Sequence, residues 1–279
     1  MPIACLHDRA ILSVSGPDAA AFLQNIVTAD VAAVGPEAPG YGALLTPQGK
    51  ILADFLLHRQ SEGFAVDLRA DQAAGIAKRL ALYRLRARVE IGPPADDLSV
   101  FAAWDGAEAG RPPDPRLAAL GGRWVAPQAS VFADAEQEAW HRHRIALAVP
   151  EGGLDFVFGD AFPHDAAMDS LNGVAFGKGC YIGQEVVSRM RHRGTARRRI
   201  VAVHGEGPLP EPGAEIVAGE RPLGRLGSSA GATGIGLVRL DRLREALDLG
   251  LPVRAGPEEV KLALPAWATY GWPDAGGEA

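Results

Sequence analysis

After Arg199 the chain is written almost wholly in short apolar runs, IVAVHG, GAEIVA, PLGRLGSSAGATGIGLVRL and VKLALP, each broken off by Gly or Pro. Runs of that length, punctuated in that way, suit the strands of a small barrel or sandwich, with one helical segment, LDRLREAL, between them. GATGIG lacks the strand-turn-helix setting of a dinucleotide fingerprint and reads as a hairpin. The expected division is a first region over residues 1–196 and a C-terminal β-barrel domain over 197–275. The tail PDAGGEA is expected to fray.

The first region has a different texture. RAILSVSG reads as a strand ending at Gly16, and Pro17 sits where the first turn of a helix tolerates a missing donor, before AAAFLQNI. YGALLTPQGKILADFLLHRQSEGFAVDLRA offers three apolar segments separated by PQGK and SEG, an antiparallel meander. Asp71 is placed to cap a helix in which Ala73, Ile76, Leu80 and Tyr83 recur at helical spacing, and RARVEI returns as a strand. LSVFAAW is a further strand between proline-rich loops. Residues 133–149 read as a helix that Pro150 ends. Strands, helix and strand in this order give an α+β class with helices on one face, here as two interleaved subdomains. With 279 residues, 47% of them hydrophobic, the chain can bury more than one such core.

Charge and cysteine content narrow the function. A net charge of -6 argues against a protein that coats nucleic acid, so anion binding must come from local clusters. No apolar stretch is long enough to span a bilayer, and MPIACLHDRAILSVS has no basic segment followed by a long apolar one, so a cytoplasmic protein without a membrane partner is expected. A reducing compartment leaves Cys5 and Cys180 as thiols. Two cysteines cannot by themselves build an iron-sulfur or structural metal site, and no residue is assigned to a resident metal.

The densest chemistry lies in FGKGCYIGQEVVSRMRHRGTARRR, residues 176–199. Gly179 and Gly183 frame Cys180 on a tight loop and allow close approach to the main chain. Gln184 to His192 can form a helix ended by Gly194, which would aim its first amides back at the loop. With Lys178 near, those amides favour the thiolate, making Cys180 a candidate nucleophile or redox thiol; a half-buried cysteine in a structural turn is the competing reading. Arg189, Arg191, Arg193, Arg197, Arg198 and Arg199 offer forked donors for carboxylates or phosphates, or form a solvated face. Glu185 either orients a ligand or caps its helix. His141 and His143, two apart, lie on different faces of a helix, and His164 beside Asp165 reads as a helix-start pair rather than a catalytic dyad.

KGCYIGQE resembles the signature of the YgfZ family, folate-binding proteins related to the glycine cleavage T-protein and linked to iron-sulfur cluster maturation. The likeness extends through SGPDAAAFLQNIVTADV, YGALLTPQGKILADFLL, LALYRLRARVEI and FPHDAAMDSLNGVAF. It implies a multi-domain ring of the T-protein type with tetrahydrofolate in its central hole. It also implies that Lys178, Gly179, Cys180, Tyr181, Gly183, Gln184 and Glu185 are signature residues, with Cys180 the functional thiol and Lys178 beside it in the chemistry. Folate contacts are expected from Trp140, Asp54, Tyr181, Gln184, Glu185, Arg193 and Arg197; helix packing is the competing reading of Trp140. The expected function is an accessory role in iron-sulfur cluster assembly or repair, with assembly proteins or client enzymes as partners. Any link to tRNA is expected to run through tRNA-modifying client enzymes rather than direct nucleic-acid binding. The alternative is a tetrahydrofolate-dependent aminomethyltransferase. T-protein enzymes carry paired acids where this chain has Ala53 and Asp54, so that transfer chemistry would lack half its pair.

Overall fold

The computed structural model describes residues 1–106, 111–194 and 196–273. Two compact units divide the chain: Met1–Trp140 with Leu171–Gln184, and His141–Ser170 with Glu185 onward. Asp274 to Ala279, most of the tail expected to fray, lie outside the described residues.

The first unit runs β1 (Ile3–Cys5), β2 (Arg9–Ser15), α1 (Ala19–Ile26), β3 (Gly40–Leu45), β4 (Ile51–Gln60), β5 (Gly63–Arg69), α2 (Ala70–Tyr83), β6 (Glu90–Pro94), β7 (Leu98–Ala103) and β8 (Gly122–Pro127). The meander is present as β3, β4 and β5 in an antiparallel five-stranded sheet of order β3-β4-β5-β2-β6, and β1-β7-β8 form a second sheet. Alternate residues of β5, Phe64, Val66 and Leu68, join Leu12 and Val14 of β2 in one core, the period-two signature of a sheet with a buried face. Phe22, Leu23 and Ile26 of α1 and Ala73, Ile76 and Leu80 of α2 close that core from the helical layer.

Asp71 does not cap α2: the cap position is Arg69, and Asp71 sits inside the first turn, where its carboxylate accepts two hydrogen bonds from the Arg69 guanidinium at 3.2 and 2.8 Å. The strand expected over RARVEI begins only at Glu90, because residues 84–86 form a hydrogen-bonded turn with Leu85 in the left-handed region, φ 46°, and the Arg88 amide then bonds the Asp18 carboxylate in place of a strand partner.

Charge is buried in this unit as well. Asp67 accepts from Arg9 and Arg123 at 2.7 and 2.8 Å, all three side chains being almost fully enclosed. Burial opposes ionisation of Asp67, but Arg123 and Arg9 outweigh it and hold the carboxyl far below the usual range.

α3 (Gln137–Ala146) is shorter than the 133–149 expected, since its apolar tail leaves the helix with Ala148 at φ 53°. The second unit continues with α4 (Gln184–Arg193), β9 (Arg198–Gly205), β10 (Glu215–Ala218), β11 (Arg221–Ala230), β12 (Thr233–Arg239), α5 (Leu240–Asp248), β13 (Val253–Ala255) and β14 (Glu258–Ala263). Its strands close into a barrel of order β10-β11-β12-β9-β14-β13, which removes free sheet edges. Val201, Val203, Ile216, Leu226 and Val238 fill it, and Leu243 of α5 packs on them. Gly224 is required where β11 crosses β12: a Cβ there would lie 2.0 Å from the Leu237 carbonyl oxygen. The hairpin read at GATGIG is the β11–β12 turn.

Candidate functional site

The segment Leu171–Gln184 carries the signature, and the first unit holds it by polar bonds to the residues just past α1 and by close backbone packing against the β3–β4 turn. Thr28 Oγ1 donates to the Gly173 carbonyl at 2.6 Å and accepts from the Ala43 amide at 2.8 Å, while the Ala175 amide donates to the Thr28 carbonyl at 2.9 Å. Lys178 Nζ donates to the carbonyls of Val27 and Ala29 at 2.8 and 2.6 Å, orphan acceptors just past the helix. The ammonium also lies 5.4 Å from the centre of the Tyr181 ring. Burial pulls Lys178 down to about 8, against a smaller opposing pull from Asp30, and pushes the buried Tyr181 up to about 12.

Gly183 makes the third attachment. Its φ is 82°, and a Cβ would meet the Thr46 carbonyl oxygen at 2.6 Å and the Gly49 Cα at 3.1 Å, so only glycine lets the loop lie against this turn. Gly179, expected to serve in the same way, has open space where a Cβ would stand, as does Gly177. The two glycines that flank Lys178 therefore leave room beside the loop instead of fitting it to protein.

Cys180 sits on this anchored loop as an exposed, free thiol. The reading of a half-buried cysteine in a structural turn is thereby corrected. Lys178 also departs from expectation: its ammonium is spent on two carbonyls and an aromatic face, so its part is to fasten the loop. Cys5, by contrast, is buried, with Sγ 3.8 Å from His7 Nδ1, and burial pushes its thiol up.

Gln184 opens α4, and Glu185 in its first turn accepts from Arg189 at 2.6 Å rather than capping the helix. The arginine run divides. Arg198 pairs with Asp160 and Asp165 at 2.8 and 2.7 Å, and Arg199 pairs with Asp169 at 2.9 Å and lies over the Tyr270 ring at 4.4 Å. Arg193 and Arg197 are exposed, and Arg197 lines a cavity of about 510 Å³ with Tyr270, Asp241 and Glu245. The run thus serves the second unit's own acids as much as any external anion. His164 is buried among turns rather than at a helix start, and burial lowers its pKa.

Asp54 and Trp140 are the residues on which a bound pterin would depend most, and the structure encloses both. Asp54, 4% exposed, accepts from the Tyr41 hydroxyl at 3.1 Å, and burial together with that carboxylate pushes the phenol well up. Trp140 is 1% exposed, with the Trp104 ring tilted against it at 5.8 Å and the Arg123 guanidinium 6.0 Å from its centre. Neither offers an open face, so these two residues do not fit the contacts a folate would need. Sequence reasoning gives no role to Val27, Thr28 or Ala29, because backbone carbonyls that hold a loop leave no side-chain signature.

Among the described residues, no helix is long and apolar enough to cross a membrane. Residues 197–270 match the family described as the CAF17 C-terminal beta-barrel domain. The human iron-sulfur cluster assembly factor IBA57 is 32% identical over 96% of this chain and 84% of its own length. A homologue from Neurospora crassa is 31% identical over 74% of this chain, and the match spans only about half of that protein, 54%. The glycine cleavage system aminomethyltransferase T from Bartonella henselae superposes with a TM-score of 0.67 over 95% of this chain and 85% of its own, at 16% identity, a likeness of fold alone. The α+β class with a C-terminal barrel on a T-protein-like fold is therefore established, while the YgfZ resemblance is close but inexact. The cytoplasmic location expected above is overturned: the human, mouse and Neurospora relatives are named mitochondrial.

Proposed function

The chain belongs to the family of the iron-sulfur cluster assembly factor IBA57, and from that premise we propose that it acts in cluster assembly by lending the Cys180 thiolate to a cluster shared with a partner protein. What supports this reading is one arrangement: an exposed thiol on a loop fastened at Thr28, Lys178 and Gly183, with open space over Gly177 and Gly179. Iron-sulfur clusters take cysteine thiolates, four in the common types, and this chain has a single exposed cysteine beside the buried Cys5. The remaining ligands must come from a scaffold protein that already carries the cluster. The cluster is cargo, held while it is built or passed to a client enzyme.

The step is a ligand exchange without change of oxidation state. Cys180 gives its proton to solvent and its sulfur lone pair to an iron; one scaffold thiolate leaves that iron and takes up a proton. Fixing the loop beforehand limits the conformational entropy lost when the iron-sulfur bond forms.

Tetrahydrofolate is a separate proposal that rests on the YgfZ resemblance alone, and no step above passes through it. Aminomethyl transfer gains nothing from the enclosed Asp54, and purified protein given tetrahydrofolate and an aminomethyl donor is expected to show no turnover. The shared-ligand reading is tested in a strain deleted for the gene. Wild type should restore the cluster-dependent enzymes and Cys180→Ala should not, at equal protein level; equal restoration by the variant removes the thiol from the mechanism.

A further inference from the structure

The turn after α2 combines three features that the folding of the first unit does not explain. Leu82 is 76% exposed and Leu85 87% exposed, although α2 has already buried Ala73, Ile76 and Leu80 on its other face. Leu85 is held at φ 46°, a conformation in which a bulky side chain is a genuine outlier, by a turn closed through the Arg84–Leu80 and Ala87–Arg84 backbone hydrogen bonds at 3.1 and 2.8 Å. Around the two leucines stand the exposed cations Lys78, Arg79, Arg84 and Arg86, with no acidic residue in the sequence from 78 to 88. In a chain of net charge -6, this is a concentrated basic patch with an apolar centre.

Its place in the fold relates it to Cys180. Arg88, at the end of the turn, donates to Asp18 at the start of α1 at 2.9 Å, and Lys178 is bonded to carbonyls just past the end of α1. Arg88, two residues past the patch, and Lys178, two residues before the thiol, are therefore bonded near opposite ends of one eight-residue helix, roughly 12 Å long at 1.5 Å per residue. A protein interface of ordinary size covers about 800 Å² on each partner and spans such a separation.

We propose that Leu82 and Leu85, ringed by Lys78, Arg79, Arg84 and Arg86, dock the scaffold protein whose cluster Cys180 shares, and that the scaffold meets them with an apolar recess rimmed by carboxylates. The inference rests on the shared-ligand reading, because one thiolate bond cannot by itself select a partner. Apolar anchors surrounded by arginines are the composition of an interface centre, and a basic rim steers an acidic protein into place. A membrane surface suits the patch less well: α2 turns its main apolar face into the core, which leaves two leucines to enter lipid, far less apolar area than a helix lying in an interface buries.

The test uses the full chain and an acidic, thiolate-bearing assembly scaffold of the same organism, in its apo and cluster-loaded forms, with affinity measured by calorimetry. Leu82→Ala combined with Leu85→Gly should weaken binding of both forms at least about tenfold, while the melting temperature stays level or rises because glycine accepts the left-handed turn. Arg84→Glu with Arg86→Glu should do the same and remove most of the salt dependence. Cys180→Ser should weaken the loaded form only. Scaffold binding by the leucine variant within twofold of wild type overturns this proposal and leaves the shared-ligand reading standing. Equal affinity of Cys180→Ser and wild type for the loaded scaffold, with the leucine effect intact, overturns the shared-ligand reading instead. No binding of either scaffold form by wild type overturns both. Binding to anionic vesicles that is lost in the leucine variant, with scaffold binding unchanged, assigns the patch to lipid and overturns the proposal.

Discussion

In the barrel of the second unit each strand has a hydrogen-bonded neighbour on both sides and an apolar interior to bury, so its position is determined many times over. The loop carrying Cys180 is held in another way. Leu171, Val174 and Tyr181 on either side of it are buried, the Thr28 hydroxyl, the two carbonyls that Lys178 reaches and the bare backbone of Gly183 fix its course, and between these holds it leaves its sulfur exposed. A thiol offered to a partner cannot be secured by burial, so the bonds must be made by its neighbours in the chain. Loss of one barrel contact is shared among many others, whereas loss of one tether should loosen the loop and leave the rest of the fold in place.

The contrast can be strained from both ends. The largest effect is expected in the barrel, where Gly224→Val drives a side chain into the Leu237 carbonyl; stability should fall by about 3 kcal/mol or more in urea titration, with loss of the whole unit. Gly183→Ala should cost about 2 kcal/mol, because a Cβ is forced against Thr46 at a positive φ. Hydrogen exchange should then rise in residues 171–184 and stay unchanged in β9 to β14. Rising exchange in the barrel as well would erase the distinction.

Lys178→Met should cost about 1 to 2 kcal/mol by leaving the Val27 and Ala29 carbonyls without their donor. Its pH dependence has a definite sign. Burial lowers the lysine from 10.5 to about 8, so between those values the unfolded chain holds more protons than the folded one. Wild type should therefore gain stability relative to the variant as pH climbs from about 8 to 10.5. The smallest effect belongs to Cys180→Ser, which alters an exposed atom and should leave the melting temperature within the equivalent of about 0.5 kcal/mol.

What could be read from the sequence follows the same division. The barrel strands, the meander and α4 were legible because period-two or helical spacing and Gly or Pro punctuation are local signals; α4 was expected over Gln184 to His192 and runs Gln184–Arg193. The signature loop was legible as chemistry but not as geometry. Lys178 is drawn to carbonyls about 150 residues earlier in the chain, and Arg198 and Arg199 find Asp160, Asp165 and Asp169 some 30 to 38 residues back. Such pairings depend on the assembled fold. For the same reason Trp140 gave no sign that Trp104 would occupy its flank, and RARVEI showed strand character without revealing that a left-handed Leu85 would delay the strand to Glu90.

If the sulfur of Cys180 becomes an iron ligand, visible absorption and circular dichroism of a cluster-loaded scaffold read that bond directly. On mixing with wild type the thiolate-to-iron bands should shift as one ligand is exchanged, and with Cys180→Ser the scaffold spectrum should persist even though the two proteins bind. Identical spectral changes with wild type and with the serine variant would contradict the account.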